Sequence, residues 1–313
     1  MMNNVAVIGA GTMGHGIALQ FALNGTPTML YDQSEQALHH ALEKMKTTLH
    51  IFEKERYKLK YSLEEIIDLI TFTTNINDLK EVDFITECVI ENLEIKQKIF
   101  KELDLLCKAE TIFASNTSSL KLNDIFKDVN QHKTKCLLTH WFNPPHIVPL
   151  VELLKNDDTE DRVFNLVKDF LEMNGKVTIT VKKEVPGLVA NRIQVAMARE
   201  VLSLLEEGVA SPKDLDLAIT GGPGFRLSVS GLLEVIDFGG IDVWNKVIEE
   251  LQPEIASHQS AYQVIQEKIA NGHFGVKTGS GFYAYPGKSF DEYTLERDRN
   301  LLKHLLNTPK FSQ

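Results

Sequence analysis

The chain has 313 residues, with 33 lysines and arginines against 43 aspartates and glutamates, for a formal net charge of −10. At 43% hydrophobic and 24% charged residues it has the apolar content of a folded protein and not of a disordered one, and its length suits about two domains. The acidic balance excludes a general electrostatic grip on nucleic acid or on an anionic membrane surface, while an anionic small ligand needs only a local basic patch or a helix N-terminus.

After Asn4 the sequence reads VAVIGAGTMGHGIALQFALNG, a continuous apolar run that changes to helical spacing at the glycines. This predicts a buried parallel strand turning directly into a helix. A second apolar run, Thr28 to Tyr31, ends at Asp32. Between Glu35 and Ile70 the chain is charged and helix-forming, which predicts two helices projecting as a hairpin, the second opened by a capping box of Ser62 and Glu65. The stretch Lys54 to Lys60 is its densest basic segment. Further short runs at Phe84–Thr86, Ile112–Ala114, Cys136–Thr139 and Val177–Val181 alternate with helical stretches. The alternation predicts an α/β domain, a Rossmann-type doubly wound parallel sheet covered on both faces.

Composition shifts near Lys182-Lys183-Glu184-Val185-Pro186-Gly187. We expect a first domain over residues 1–184 and a second, mainly helical one over 185–313. Val189, Ile193, Ala196, Met197, Val201, Leu204 and Leu205 recur at helical spacing on a long helix ending at Gly208. Ser211-Pro212 gives the N-cap and first position of the next. Phe282–Tyr285 is the one strand candidate in this half, and the residues after Leu306 are expected to fray. Cys88, Cys107 and Cys136 are odd in number and lack Cys-x-x-Cys spacing, so no disulfide framework and no metal site is expected, and a cytoplasmic setting fits best. No apolar run approaches the ~18 residues that span a bilayer, and strand-like sequence by Val5 leaves no room for a signal peptide.

Gly9-Ala10-Gly11-Thr12-Met13-Gly14 is a Gly-x-Gly-x-x-Gly pattern lying between a predicted strand and a predicted helix, the context that makes it specific for a dinucleotide. Gly9 permits the tight turn, Gly11 lets backbone approach a pyrophosphate, and Gly14 allows the helix to pack close to the strand. Asp32, at the end of the second strand, can accept from both ribose hydroxyls and repels a 2′-phosphate, which favours NAD over NADP. FAD is a rival ligand for this fingerprint taken alone.

Three further segments place polar residues where such a sheet opens at its C-terminal edge: Ser115-Asn116-Thr117-Ser118-Ser119, His140-Trp141-Phe142-Asn143, and Pro149 to Leu153 with Glu152 inside an apolar strand. Together with GAGTMGHGIA, ECVIEN, PGLVANR and FGVKTGSGFYAYP, these segments resemble the L-3-hydroxyacyl-CoA dehydrogenases, in the same order along almost the whole chain.

The resemblance implies a hydride transfer to NAD in which His140 takes the proton of a substrate 3-hydroxyl. Glu152 holds the other ring nitrogen, and Ser118 and Asn191 donate to the substrate oxygen in the cleft between the domains. It carries cofactor contacts onto Glu91, Lys96, Asn143 and Lys277, beside Ser118 and the glycine loop, and it implies a homodimer through the second domain. The stretches HWFNPPHIVPLVELL and SPKDLDLAITGGPGFR resemble members acting on free hydroxy acids, such as L-gulonate 3-dehydrogenase, lambda-crystallins and carnitine dehydrogenase, at least as much as they resemble the CoA enzymes. The substrate is therefore either an acyl-CoA thioester, with phosphates met by Lys54, Lys58 or Lys60, or a free acid, with Arg226 as an anchor. A third expectation is a crystallin-like NAD-binding protein without turnover.

Overall fold

In the computed structural model, which describes residues 2–308, the first strand, β1 (Val5–Ile8), is buried along its whole length. It has parallel neighbours on both sides, β2 (Thr28–Tyr31) and β4 (Phe84–Glu87). With layers over both faces, every side chain of β1 meets apolar neighbours, so its sequence is continuously apolar and not alternating. Val5 and Val7 enter one core, Ala6 and Ile8 the other. The helix α1 (Gly14–Leu23) follows, and β3 (Ile70–Thr73), α4 (Leu93–Leu106), β5 (Ile112–Ser115), the short α5 (Leu122–Ile125), β6 (Cys136–Trp141), β7 (Leu150–Lys155), α6 (Asp161–Met173) and β8 (Val177–Thr180) complete the frame. The eight strands lie in the order β3-β2-β1-β4-β5-β6-β7-β8.

All neighbouring pairs are parallel except β6 and β7, which run antiparallel. An all-parallel sheet was the expectation. The connection from Trp141 to Leu150 is too short for a crossover, which takes about a dozen residues, so the chain reverses. The edge strand β3 was not expected either: Ile-Thr-Phe-Thr is short, and only its two end residues are buried.

The two helices expected after Asp32 are present but unequal. α2 (Glu35–Lys54) is long and α3 (Leu63–Asp68) has a single turn and a half. The Ser62–Glu65 capping box is made in both directions. The pair was expected to project. Instead α2 buries Leu38, Ala41, Met45, Leu49 and Phe52, at helical spacing, in the core beneath α1.

By contacts the described chain divides into two units, residues 2–189 with 298–307, and residues 190–297 with Thr308. The second unit is helical: α7 (Ala190–Glu206), α8 (Pro212–Gly221), α9 (Pro223–Leu227), α10 (Leu232–Gly239), α11 (Ile241–Leu251) and α12 (Gln263–Ala270). Gly208 stops α7 with a φ of 70°, and Ser211 caps α8 with Pro212 in its first turn. Phe282–Tyr285 forms no strand; isolated bridges join Ser280 to Gly275 and to Ala284. The last helix, α13 (Phe290–Leu306), ends inside the first unit's core, where Leu302 is fully buried. The fraying expected beyond Leu306 falls mostly outside the described residues. Among the described residues no helix is long and apolar enough to cross a membrane.

Candidate active site

The glycine turn is built as its spacing requires. Gly9 has a φ of 96°, and a Cβ there would stand 2.9 Å from the Cys88 carbonyl oxygen. A Cβ on Gly14 would stand 1.7 Å from the Gly9 carbonyl oxygen, so no other residue lets α1 start so close to β1. Gly11 has nothing within 4 Å of that position and leaves its backbone open to a ligand. Asp32 closes the turn from β2: one oxygen accepts from the Ala10 N–H at 2.8 Å, the other from the Ser34 N–H at 2.9 Å. Thr12 and Met13 complete the turn into α1.

Beside the turn lies a cleft of about 470 Å³, walled by Ile8, Val89, Ile90, Ile95 and Ile99 and carrying Tyr31, Asp32, Gln33, Lys98 and Glu102 as its polar groups. An apolar slot with a carboxylate at the strand end and free helix N–H groups beside it fits an adenosine diphosphate moiety in size and chemistry. Cys88 lines the same cleft, and burial raises its thiol far above the usual range, which leaves it unreactive.

His140 stands near the end of β6 and Glu152 directly opposite on β7, as register partners. The antiparallel turn-back therefore makes the pair. His140 Nδ1 lies 2.7 Å from Glu152 Oε2, and the Val189 N–H donates to Glu152 Oε1 at 3.0 Å. Glu152 is fully buried and His140 nearly so, and the Phe142 ring packs edge-on against the imidazole at 4.7 Å. A carboxylate on Nδ1 selects the tautomer with its proton there, leaving Nε2 as an acceptor.

The segment carrying Ser118 leaves β5 beside this pair. Asn116 joins the two: its N–H donates to the Glu87 carbonyl at 2.9 Å, and its side-chain oxygen accepts from the Trp141 N–H at 2.8 Å. Glu91 Oε1 accepts from the N–H groups of Ser118 and Ser119 at 3.1 and 3.2 Å and from the hydroxyls of Thr117 and Ser119. Burial alone would raise the Glu91 carboxyl; the Thr117 hydroxyl and the Lys96 ammonium outweigh it and hold it below the usual range. Lys96 is 1% exposed, with its ammonium 2.7 Å from Glu87 Oε1 and 3.2 Å from Glu91 Oε2.

Asn143 is exposed on the loop after β6, before a cis bond to Pro144. That loop packs on α1, where a Cβ on Gly16 would meet the Pro145 ring at 2.7 Å. Lys176, unremarked in the sequence, supports it from behind: its buried ammonium donates to the carbonyls of Pro145 at 2.5 Å and Val148 at 3.1 Å. Burial brings its pKa down to about 7. Asn191 lies in the first turn of α7 in the second unit. Lys277 lies in a short 3-10 turn of that unit, its ammonium 5.5 Å above the Phe274 ring, and Arg226 is exposed in α9. Of the basic segment, Lys54 and Lys58 are exposed, while Lys60 reaches the Asn24 side chain at 3.3 Å. Glu55, between them, pairs with Arg299 and Lys303 of α13. Among the described residues no group of three or more His, Cys, Asp or Glu side chains could hold a metal ion.

Sequence reasoning missed Asn116, Glu87 and Lys176. Asn116 and Glu87 lie inside segments already singled out, but their partners are too distant in the chain for spacing to reveal.

Comparison with known proteins gives two family matches: the 3-hydroxyacyl-CoA dehydrogenase NAD binding domain over residues 4–185 and the 3-hydroxyacyl-CoA dehydrogenase C-terminal domain over residues 187–285. The 5-formyl-3-hydroxy-2-methylpyridine 4-carboxylate 5-dehydrogenase of Mesorhizobium japonicum is 31% identical over 304 residues, 96% of this chain and 97% of that protein. The human mitochondrial hydroxyacyl-coenzyme A dehydrogenase is 32% identical over 294 residues, 91% of this chain and 92% of that one. A solved structure of a 5-formyl-3-hydroxy-2-methylpyridine 4-carboxylic acid 5-dehydrogenase, described as an NAD+ dependent dismutase, superposes with a TM-score of 0.88 at 30% identity, covering 97% of each chain.

Proposed function

Because the chain belongs to the 3-hydroxyacyl-CoA dehydrogenase family and is an NAD-dependent oxidoreductase, we propose that it catalyses the reversible oxidation of the 3-hydroxyl of an L-3-hydroxyacyl-CoA to the 3-ketoacyl-CoA. The observation that carries this reading is the buried His140–Glu152 pair at 2.7 Å, at the C-terminal edge of the strand bearing His140. Glu152 keeps the proton on Nδ1, so Nε2 is the base that takes the hydroxyl proton in oxidation and returns it in reduction. Bound NAD supplies the acceptor for the hydride that leaves the same carbon. The imidazolium formed is balanced by the fully buried Glu152 carboxylate, where the attraction is stronger than in bulk solvent. Ser118 is the proposed donor to the substrate oxygen as it gains charge in the reduction direction. Asn191, carried over by the family pattern, is the second donor.

A second reading, the same hydride chemistry on a free carboxylic acid, is favoured by one observation. The family's C-terminal domain ends at residue 285, and α13 lies beyond it, packed beside the basic segment with Arg299 and Lys303 on Glu55. The pyridine-carboxylate enzyme is matched along 96% of this chain. Turnover of NADH with acetoacetyl-CoA, set against free 3-keto acids and aromatic formyl carboxylates as a kcat/KM panel, separates the readings. A preference of at least about tenfold for the thioester supports the first, the same preference for a free acid the second, and no turnover with any of them favours a binding protein of crystallin type. We further place the protein in the cytoplasm as a homodimer, on its free cysteines and on the apolar surface of its helical unit.

A further inference from the structure

Glu87 is the last residue of β4 and is fully buried. A carboxylate in that position must be saturated with donors, and it is: Lys96 Nζ at 2.7 Å, the Val89 N–H at 2.7 Å and the Ser115 hydroxyl at 2.6 Å. Nothing in the proposed chemistry uses it. Its partners are the two elements on which Ser118 depends: Ser115 is the residue from which the Ser118 segment departs, and Lys96 is shared with Glu91, whose oxygen gathers the donors of Thr117, Ser118 and Ser119. We propose that Glu87 is a positioning residue for the active site, acting through Lys96 and Glu91 to set the backbone of Thr117–Ser119 and hence the direction of the Ser118 hydroxyl.

This inference rests on the reading of Ser118 as a donor to the substrate oxygen. The network holds two carboxylates on one ammonium. The excess negative charge lies on Glu91, the one member that is more than a third exposed, where backbone donors of the segment meet it. Glu87 acts as the fixed end: with its oxygens saturated inside the sheet, Lys96 has one position, and Glu91 is held from behind while it grips the segment in front. Glu87→Gln is a clean probe, because Lys96 keeps Glu91 as counter-ion and no buried charge is left unpaired. Lys96→Met strands two carboxylates and destabilises the fold.

The test uses Glu87→Gln and Glu91→Gln, with kcat and KM for the best substrate of the panel, the NADH Kd of Glu87→Gln by fluorescence titration, and crystal structures of both variants. The expected result is a fall in kcat of about tenfold or more, consistent with the sensitivity of turnover to ångström-scale misplacement. For Glu87→Gln the NADH Kd should change less than about twofold, and in both variants the segment 117–119 should be displaced. Glu91→Gln, on a partly exposed side chain, carries the test should Glu87→Gln fold poorly. The proposal is overturned if kcat holds at the parental value in both variants, or if the NADH affinity of Glu87→Gln falls by the same factor as its kcat, which makes Glu87 part of the cofactor site. Absence of turnover in the parent with every panel substrate removes the proposed function itself, whereas an unmoved segment in the variant crystals removes only the role of Glu87.

Discussion

His140 is held by a single ring nitrogen, and its rate contribution depends on which one. With Nδ1 committed to Glu152, His140→Gln should lower kcat by at least about 100-fold, the loss of general acid–base catalysis, and leave NADH binding intact, because His140 does not line the adenosine-sized cleft. Activity within a few-fold of the parent sinks the assignment. The glycine turn offers a sharper contrast. Gly14→Ala places a methyl 1.7 Å from the Gly9 carbonyl oxygen and should disrupt the turn and the fold around it, whereas Gly11→Ala meets nothing within 4 Å. It should keep the melting temperature and weaken NADH by about tenfold or more, because the added carbon fills the space a pyrophosphate needs. Equal losses of melting temperature in the two variants would refute that account. The turn was legible in the sequence because a strand, a tight turn and a helix start are local events. Asn116, Glu87 and Lys176 were not, because each acts on a partner from another element: Asn116 on Trp141, Glu87 on Lys96, and Lys176 on the carbonyls of a loop thirty residues earlier in the chain.

Among the elements, those set by short-range rules were readable, and those set by packing were not. β1, β2 and the caps at Ser62 and Ser211 follow from apolar runs and cap residues. The reversal at β7 follows from a connection length that only matters once β6 is known to extend to Trp141 and to include His140. Phe282–Tyr285 has strand composition, yet finds no ladder in a helical unit. The connection from α4 to β6 shows a further device. Asp104, buried on α4, accepts from the backbone N–H groups of Asn130, Gln131 and His132 and sits 2.8 Å from His132 Nδ1. Burial raises the Asp104 carboxyl, but the Asn130 and His132 bonds prevail and hold it below its usual value. A depressed carboxyl contributes stability that is complete above the unfolded value near ~3.9 and is lost as pH falls through the lower folded value. Asp104→Asn should therefore cost about 2–3 kcal/mol at pH 7, the scale of charged hydrogen bonds, with the gap to the parent closing below about pH 4. A gap of equal size at pH 3 and pH 7, by denaturant melts, contradicts this.

At the scale of the whole molecule, the acidic charge and the apolar surface of the helical unit act in opposition. Its side chains at Phe225, Leu233, Phe238 and Ile241, on α9, α10 and α11, are 73%, 77%, 88% and 67% exposed, and α7 adds Ile193 and Val195 at 56% and 65%. Large apolar side chains exposed in such number on one unit fit an interaction surface, and the homodimer we propose would bury them. Each copy carries a net charge of −10, so two copies repel at long range, and this repulsion is screened within a Debye length of about 10 Å at 0.1 M salt. Two consequences follow, both readable by sedimentation at micromolar concentration. Raising salt from about 0.02 to 0.3 M should tighten the dimer, the opposite of an association held by ion pairs, and Phe238→Asp with Leu233→Asp should yield monomer by adding like charge where apolar area was buried. Both changes lie outside the first unit, which carries the glycine turn and the His140–Glu152 pair, so NADH affinity should stay within about twofold of the parent. A parent that sediments only as monomer, or a dimer that loosens as salt rises, would mean that this surface serves some other purpose.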